Sequence, residues 1–217
     1  ILDCVYENDF SGNNKQMLYE QNMIKHLNNT LDNWRDADVR TVPNVMYQIR
    51  YGRDANNVEF RFHLFISSEE TYVHNHQYDF LSYCIQGEYC ESLWNIDTTR
   101  SDVITYEFSR NSGNDIGLLG SKQGALYIEE KRHHFPGNVL SVTRNRFHSI
   151  SSSATSNKMV VTFVARYICP MATRHTFIWS PEESIQAPTD QIEPATENER
   201  DIVYKQLKDI YEQRCCS

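Results

Sequence analysis

The sequence predicts a mainly β protein, a jelly-roll barrel of short antiparallel strands with one flanking helix at each end of the chain. Three observations carry the prediction. Period-two, β-branched or aromatic runs fill the centre, at Val45–Arg50, Val58–Ile66, Tyr78–Gln86 and Met159–Tyr167. Turn signals punctuate them at Asp54–Asn57, Gly87, Gly113–Asp115, Gly120–Gly124 and Pro136-Gly137. Apolar residues at helical spacing gather near the two ends.

Each element follows in order. Leu18, Ile24, Leu27, Leu31 and Trp34 share one face in a stretch free of Gly and Pro, which predicts a helix over Lys15–Trp34. The turn signals then divide the centre into about eight to ten strands, as a sandwich or jelly roll requires. Ser180–Asn198, rich in Pro, Glu, Thr and Ser, reads as a loop, and Ile202, Val203, Leu207, Ile210 and Tyr211 mark a second helix. Both helices are expected to pack on the outside of a sheet. With 217 residues and 40% hydrophobic content, the chain suffices for a single core. It reads as one domain: a helical part over 1–40, a barrel over 41–180, and a loop with helix over 181–217.

A net charge of -8 and an isoelectric point near 5.5 leave no basic stripe, so no nucleic-acid partner is expected. The longest apolar runs, such as Met159–Ala165, are too short to cross a bilayer, and Ile1–Asn8 lacks the basic and apolar regions of a signal peptide. Cys4, Cys84, Cys90, Cys169, Cys215 and Cys216 form neither a CxxC pair nor a regular framework. Reduced thiols and a cytoplasmic setting are therefore the expectation, with no membrane partner. Cys215-Cys216-Ser217 does not match the four-residue prenylation pattern. The sequon Asn28-Asn29-Thr30 falls inside the predicted first helix and carries little weight.

Val73-His74-Asn75-His76 places two imidazoles on the same side of an extended segment, a geometry that suits a metal ion. An isolated pair of this kind is more often two hydrogen-bonding surface residues. Its surroundings add to it: Phe80 follows His76 after three residues, Gly87 follows after six more, and Gly137, Val139, Ser141 and Arg146 lead to His148. His133-His134, being adjacent, point to opposite faces and read as a loop surface.

These residues resemble the two motifs of the cupin superfamily, over about Tyr47–Phe177. The resemblance implies one divalent metal per chain, held by His74, His76 and His148. Phe80 stands where the family usually has a glutamate ligand. Three neutral imidazoles then leave open positions for an anionic substrate and dioxygen, which resembles the three-histidine thiol dioxygenase branch and cysteine dioxygenase in particular. That branch implies Fe(II), although the same ligands accept other divalent metals. It implies a small thiol substrate and dioxygen as reactants, a sulfinate as product, and a monomer or small homo-oligomer.

Further residues carry the resemblance. The run Gln86–Trp94 is similar to the segment after the family's first motif. Tyr47-Gln48-Ile49-Arg50 falls where the family has the arginine that binds the substrate carboxylate, making Arg50 the candidate and Arg61 its rival. Arg61, His63 and Phe65 share one face of a strand and Phe60, Phe62, Leu64 and Ile66 the other; either face could look into the barrel. If the polar one does, Arg61 and His63 line the pocket. Tyr167, followed by Pro170, His175 and Phe177, is similar to the stretch opened by the family's active-site tyrosine, which implies a catalytic Tyr167. The crosslinking cysteine of animal members would fall near Phe80 or Leu81, so no crosslink is expected. Ala165 replaces the histidine two residues before the tyrosine. These departures leave two alternatives open: another metal-dependent cupin reaction, whether oxygenase, lyase or isomerase, or a non-catalytic ligand-binding cupin.

Overall fold

The computed structural model describes residues 12–71, 73–76, 78–97, 99, 103–110, 116–144, 146–155, 158–167, 175–180 and 192–215. Helix α1 (Gly12–Asp32) and a 3-10 turn (Trp34–Asp36) lead into β1 (Asp38–Val42), β2 (Met46–Arg53) and β3 (Val58–Phe65). Next come β4 (Val73–His74), β5 (Phe80–Gln86), β6 (Tyr89–Asp97), β7 (Val103–Arg110) and β8 (Ile116–His134). The chain finishes with β9 (Val139–Val142), β10 (Phe147–Ser152), β11 (Val160–Tyr167), β12 (His175–Ser180), β13 (Glu193–Pro194) and helix α2 (Glu197–Cys215).

Seven strands form one sheet in the order β13-β1-β2-β3-β11-β5-β9, and six close a second ladder in the order β10-β4-β12-β7-β8-β6. All their pairings are antiparallel. The fold is thus the mainly β, jelly-roll barrel that the sequence predicts, with its two flanking helices. Among the described residues, no helix is long and apolar enough to cross a membrane.

Two predicted punctuation points hold for visible reasons. At Asp54–Asn57 the Asp54 carboxylate accepts from the backbone N–H of Asn56 (2.8 Å) and Val58 (2.9 Å), while Asn57 takes a left-handed φ of 59°. Gly87, at φ 76°, turns β5 into β6. Gly120–Gly124 is different: it runs through the middle of β8, where a register shift opposite Glu107/Phe108 absorbs the glycines. The first half of this 19-residue strand pairs with β7 and the second with β6, so one strand stands where the turn signal predicts two. Gly113–Asp115 lies outside the described residues.

The seven-stranded sheet divides its side chains cleanly. Tyr47, Ile49, Phe62, Leu64, Tyr83, Ile85, Val161 and Phe163 form the outer face and pack against Met23 and Leu27 of α1 and Val203, Leu207 and Ile210 of α2. Each such aliphatic or aromatic side chain contributes about 1.5–3 kcal/mol when removed from water, so the main core lies between helices and sheet. The alternate residues of the same strands look into the barrel. The open question about β3 is therefore answered in favour of an inward polar face.

Helix α2 starts with a capping box. Thr196 Oγ1 accepts from the Glu199 N–H at 3.3 Å, and the Glu199 carboxylate accepts from the Thr196 N–H at 2.8 Å. Arg200 then donates to the carbonyls of Ala37 (2.9 Å) and Trp34 (2.8 Å), and Arg214 pairs with Glu20 of α1 while donating to the Ile85 carbonyl at 2.9 Å. These bonds clamp both helices onto one face of the sheet.

Candidate metal centre

Strand β4 is two residues long, yet it sits where two strands of the second ladder meet: His74 is the register partner of His148 on β10 and of Ile178 on β12. His76 lies just past the strand on the same side as His74. The three rings converge, with centroids 4.7 Å apart for His74–His76 and 4.9 Å for both pairs involving His148. One nitrogen from each falls within 4.8 Å of the others, and Nε2 of His76 is 2.7 Å from Nε2 of His148. Burial, then the neighbouring His74 and His148, holds His76 well below the ordinary histidine pKa, so it stays a neutral donor. Three converging imidazoles with no cationic side chain among them fit a divalent transition metal.

Phe80 is not a ligand and cannot be one. Its ring meets His76 edge-on, with centroids 4.7 Å apart and planes at 89°, where the usual motif has a carboxylate. It packs the imidazole in place instead of sharing the metal.

The triad opens on a cavity of about 90 Å³. Met46, Phe65, Phe80 and Leu140 give it apolar walls, and Thr71, Ser82, Tyr89 and Thr162 supply hydroxyls. His63 also lines it, half-buried, with its Nε2 shielded from solvent and unpartnered among the described residues. Burial, then the positive charges of Arg61 and Arg166, pushes His63 down to about 3. It is neutral at any ordinary pH.

Arg61 lies two residues from His63 on the inward face of β3. Its Nε pairs with the Glu59 carboxylate, and Nε of Arg166 lies 2.8 Å from the same oxygen. Side-chain exposures of 13% for Arg61, 23% for Arg166 and 6% for Glu59 place two guanidiniums and one carboxylate inside the protein, an excess of one positive charge. Burial, then Arg166, lowers Arg61 to about 10, still a cation. The Arg166 guanidinium stacks over Tyr78 at 5.3 Å.

Two other expected site residues are elsewhere. Arg50 pairs in register with Arg61 but sits at the rim, 41% exposed and 3.7 Å from Asp38. Tyr167 does not reach the cavity: Thr162 and Val164 line it, and Tyr167, an odd number of residues further along β11, leaves the opposite face. Pro170 lies outside the described residues.

Sequence reasoning passed over Glu91, although it quoted the run containing it. Glu91 is 1% exposed, and its Oε1 lies 2.7 Å from Nδ1 of His148. The register explains the contact: His148 pairs with Leu93 on β6, so Glu91 is its diagonal neighbour on the same face. A charged residue inside the apolar run Tyr89–Trp94 was the available signal. His134 corrects another expectation. It ends β8 rather than occupying a loop surface, is buried, stacks on Tyr89 with centroids 4.7 Å apart, and places Nε2 3.9 Å from Glu91 Oε2.

Fold and site together define a mainly β, antiparallel barrel with a three-histidine group suited to a metal ion. No family model matches the chain, and no curated protein matches it. Among solved structures it is similar to KdgF from Halomonas sp., at 12% identity over 61% of this chain and 88% of that one, with a TM-score of 0.38. A cupin superfamily protein from Desulfitobacterium hafniense DCB-2 matches at 14% identity over 58% and 80%, with a TM-score of 0.35. The DMSP lyase DddQ from Ruegeria pomeroyi DSS-3 matches at 9% identity over 60% and 50%, with a TM-score of 0.37. Likenesses this distant assign no role to any residue of this chain.

Proposed function

We propose that this chain is a mononuclear non-haem iron dioxygenase that converts the thiol of a small, cysteine-like acid to a sulfinate. The observation that carries the reading is the convergence of His74, His76 and His148 on a largely apolar cavity with Phe80 in place of a carboxylate ligand. Three neutral ligands favour an anionic co-ligand such as a thiolate. Bound iron would supply the electron transfer that lets dioxygen react with the thiolate. The overall reaction balances as thiol plus dioxygen giving sulfinic acid, with sulfur losing the four electrons that dioxygen gains.

The protein's own groups would orient and enclose the reactants. Met46, Phe65 and Leu140 exclude water from the reacting sulfur. The excess positive charge at Arg61 and Arg166 attracts the substrate's carboxylate toward the His63 end of the cavity, in place of the rim residue Arg50. His63, neutral, accepts or donates one hydrogen bond there. Tyr89, whose side chain lines the cavity, takes the hydrogen-bonding role that the resemblance gives to Tyr167.

The placement of Tyr167 favours one second reading, a metal-dependent lyase or isomerase reaction in the same cavity, since one fold hosts many chemistries. Oxygen-electrode assays of the iron-loaded protein with cysteine, 3-mercaptopropionate and cysteamine separate the readings. Thiol-dependent oxygen uptake that disappears in His148→Ala supports the dioxygenase. Stoichiometric metal without uptake on any of the three thiols rejects it in favour of the second reading.

A further inference from the structure

The carboxylate that the usual motif places on the metal is missing at Phe80, and a buried carboxylate stands one sphere further out. We propose that Glu91 is the positioning and charge-compensating residue of the centre: it fixes His148 with its proton on Nδ1 and supplies the negative charge that the three ligands lack. This rests on the metal reading above and adds a residue to it.

Three features support the assignment. Glu91 Oε1 accepts from His148 Nδ1 at 2.7 Å, which leaves the Nε2 lone pair directed at His76 and the cavity. Glu91 is almost fully buried, and its other oxygen has no hydrogen-bond partner among the described residues; the nearest candidate, His134 Nε2, is 3.9 Å away and equally unpartnered. Arg132, its register partner on β8, pairs with Glu130 instead. A carboxylate taken out of water costs several kcal/mol unless a positive charge answers it. Here a divalent ion held through His148 is the charge that would do so. The same hydrogen bond strengthens His148 as a donor, because negative charge behind an imidazole raises its electron density at the metal-facing nitrogen.

The test uses Co(II) alone as probe. Metal-free wild type, Glu91→Gln and His148→Ala are titrated by calorimetry and by the visible Co(II) absorption bands, and the metal-free thermal midpoint of each is measured in parallel. Gln keeps the size and the acceptor atom and removes the charge. We expect His148→Ala to abolish the site and Glu91→Gln to weaken it by about 10- to 100-fold with displaced absorption bands, while the metal-free midpoint stays the same or rises. Equal Co(II) affinity and spectra in wild type and Glu91→Gln overturn the proposal while leaving the three-histidine site intact. Wild type indistinguishable from His148→Ala overturns both. Should Glu91→Gln fail to fold, the tautomer is read in the wild type by nitrogen-15 NMR of the histidine rings. A proton on Nδ1 of His148, before and after Zn(II), supports the assignment, and a proton on Nε2 in the metal-free protein overturns it.

Discussion

Replacing His63 by leucine should remove a defined part of the protein's acid lability. His63 turns its ring into the barrel beside Arg61 and Arg166, and is held neutral with a pKa of about 3 against 6.5 for an exposed histidine. Its folded pKa is depressed, so its contribution is complete above about pH 6.5 and is lost as pH falls from there toward 3. Each unit of pH in that window costs about 1.4 kcal/mol, so the wild type should lose about 2 kcal/mol through this group between pH 7 and pH 5. For a chain of this length that is about 4–8 °C in thermal midpoint. A leucine side chain has no proton to take up, and the change also removes a buried nitrogen without a partner, so stability at pH 7 should stay level or rise. The assay is urea unfolding of chelator-treated protein at pH 7, 6 and 5, followed by tryptophan fluorescence. His26, His76 and His134 are also depressed by burial, but both proteins contain them and their contributions cancel in the difference. Stability curves that run parallel for wild type and His63→Leu would refute the reasoning, since they would mean that His63 takes up its proton without cost.

Other perturbations have equally specific outcomes. Glu59→Gln leaves two buried guanidiniums without a carboxylate and should destabilise by about 3–5 kcal/mol at pH 7, measured by the same unfolding assay. Burial alone would raise the Glu59 pKa, but Arg61 and Arg166 together pull it below 4.5, so the wild type alone should lose this stabilisation as pH falls through that lower value. Gly87→Ala should cost about 1–3 kcal/mol, because φ is 76° and the added Cβ would lie 2.8 Å from Val160 Cγ2 and 3.1 Å from its Cα; circular dichroism melts would show it. Thr196→Ala removes the cap of α2 and should cost about 1 kcal/mol, whereas Thr196→Ser should retain most of the stability.

Much of the fold was legible because each of its signals is local. Leu27, Leu31 and Trp34 show a helical face without any partner in view, and Asp54–Asn57 carries its own turn chemistry. The two-histidine motif was legible for the same reason, since alternation alone puts His74 and His76 on one side. What escaped depends on register between distant strands. Glu91 reaches His148 because β6 and β10 pair with Leu93 opposite His148, a fact no local pattern contains. Arg166 meets Glu59 because β11 and β3 align those two residues, and a shift of one in β11 would have sent Arg166 outward. Tyr167 stands apart from the cavity for the same reason: the resemblance supplied its place in the sequence, but strand parity decides its face. The two glycines inside β8 suggested a division that is not there, and strand number was underestimated where β4 and β13 are too short to leave a pattern.

The division of the seven-stranded sheet has a consequence for how such a protein can change. Along β3, Phe60, Phe62 and Leu64 answer to the helices while Glu59, Arg61 and His63 answer to the cavity. Neighbours in sequence therefore serve different masters, and a substitution on the inner face leaves the helix-packed layer untouched. His63 could therefore change with the helix packing kept, whereas Glu59 could not change freely, because its ion pairs stabilise the inner face itself. The barrel wall separates the layer packed by the helices from the layer that lines the chamber.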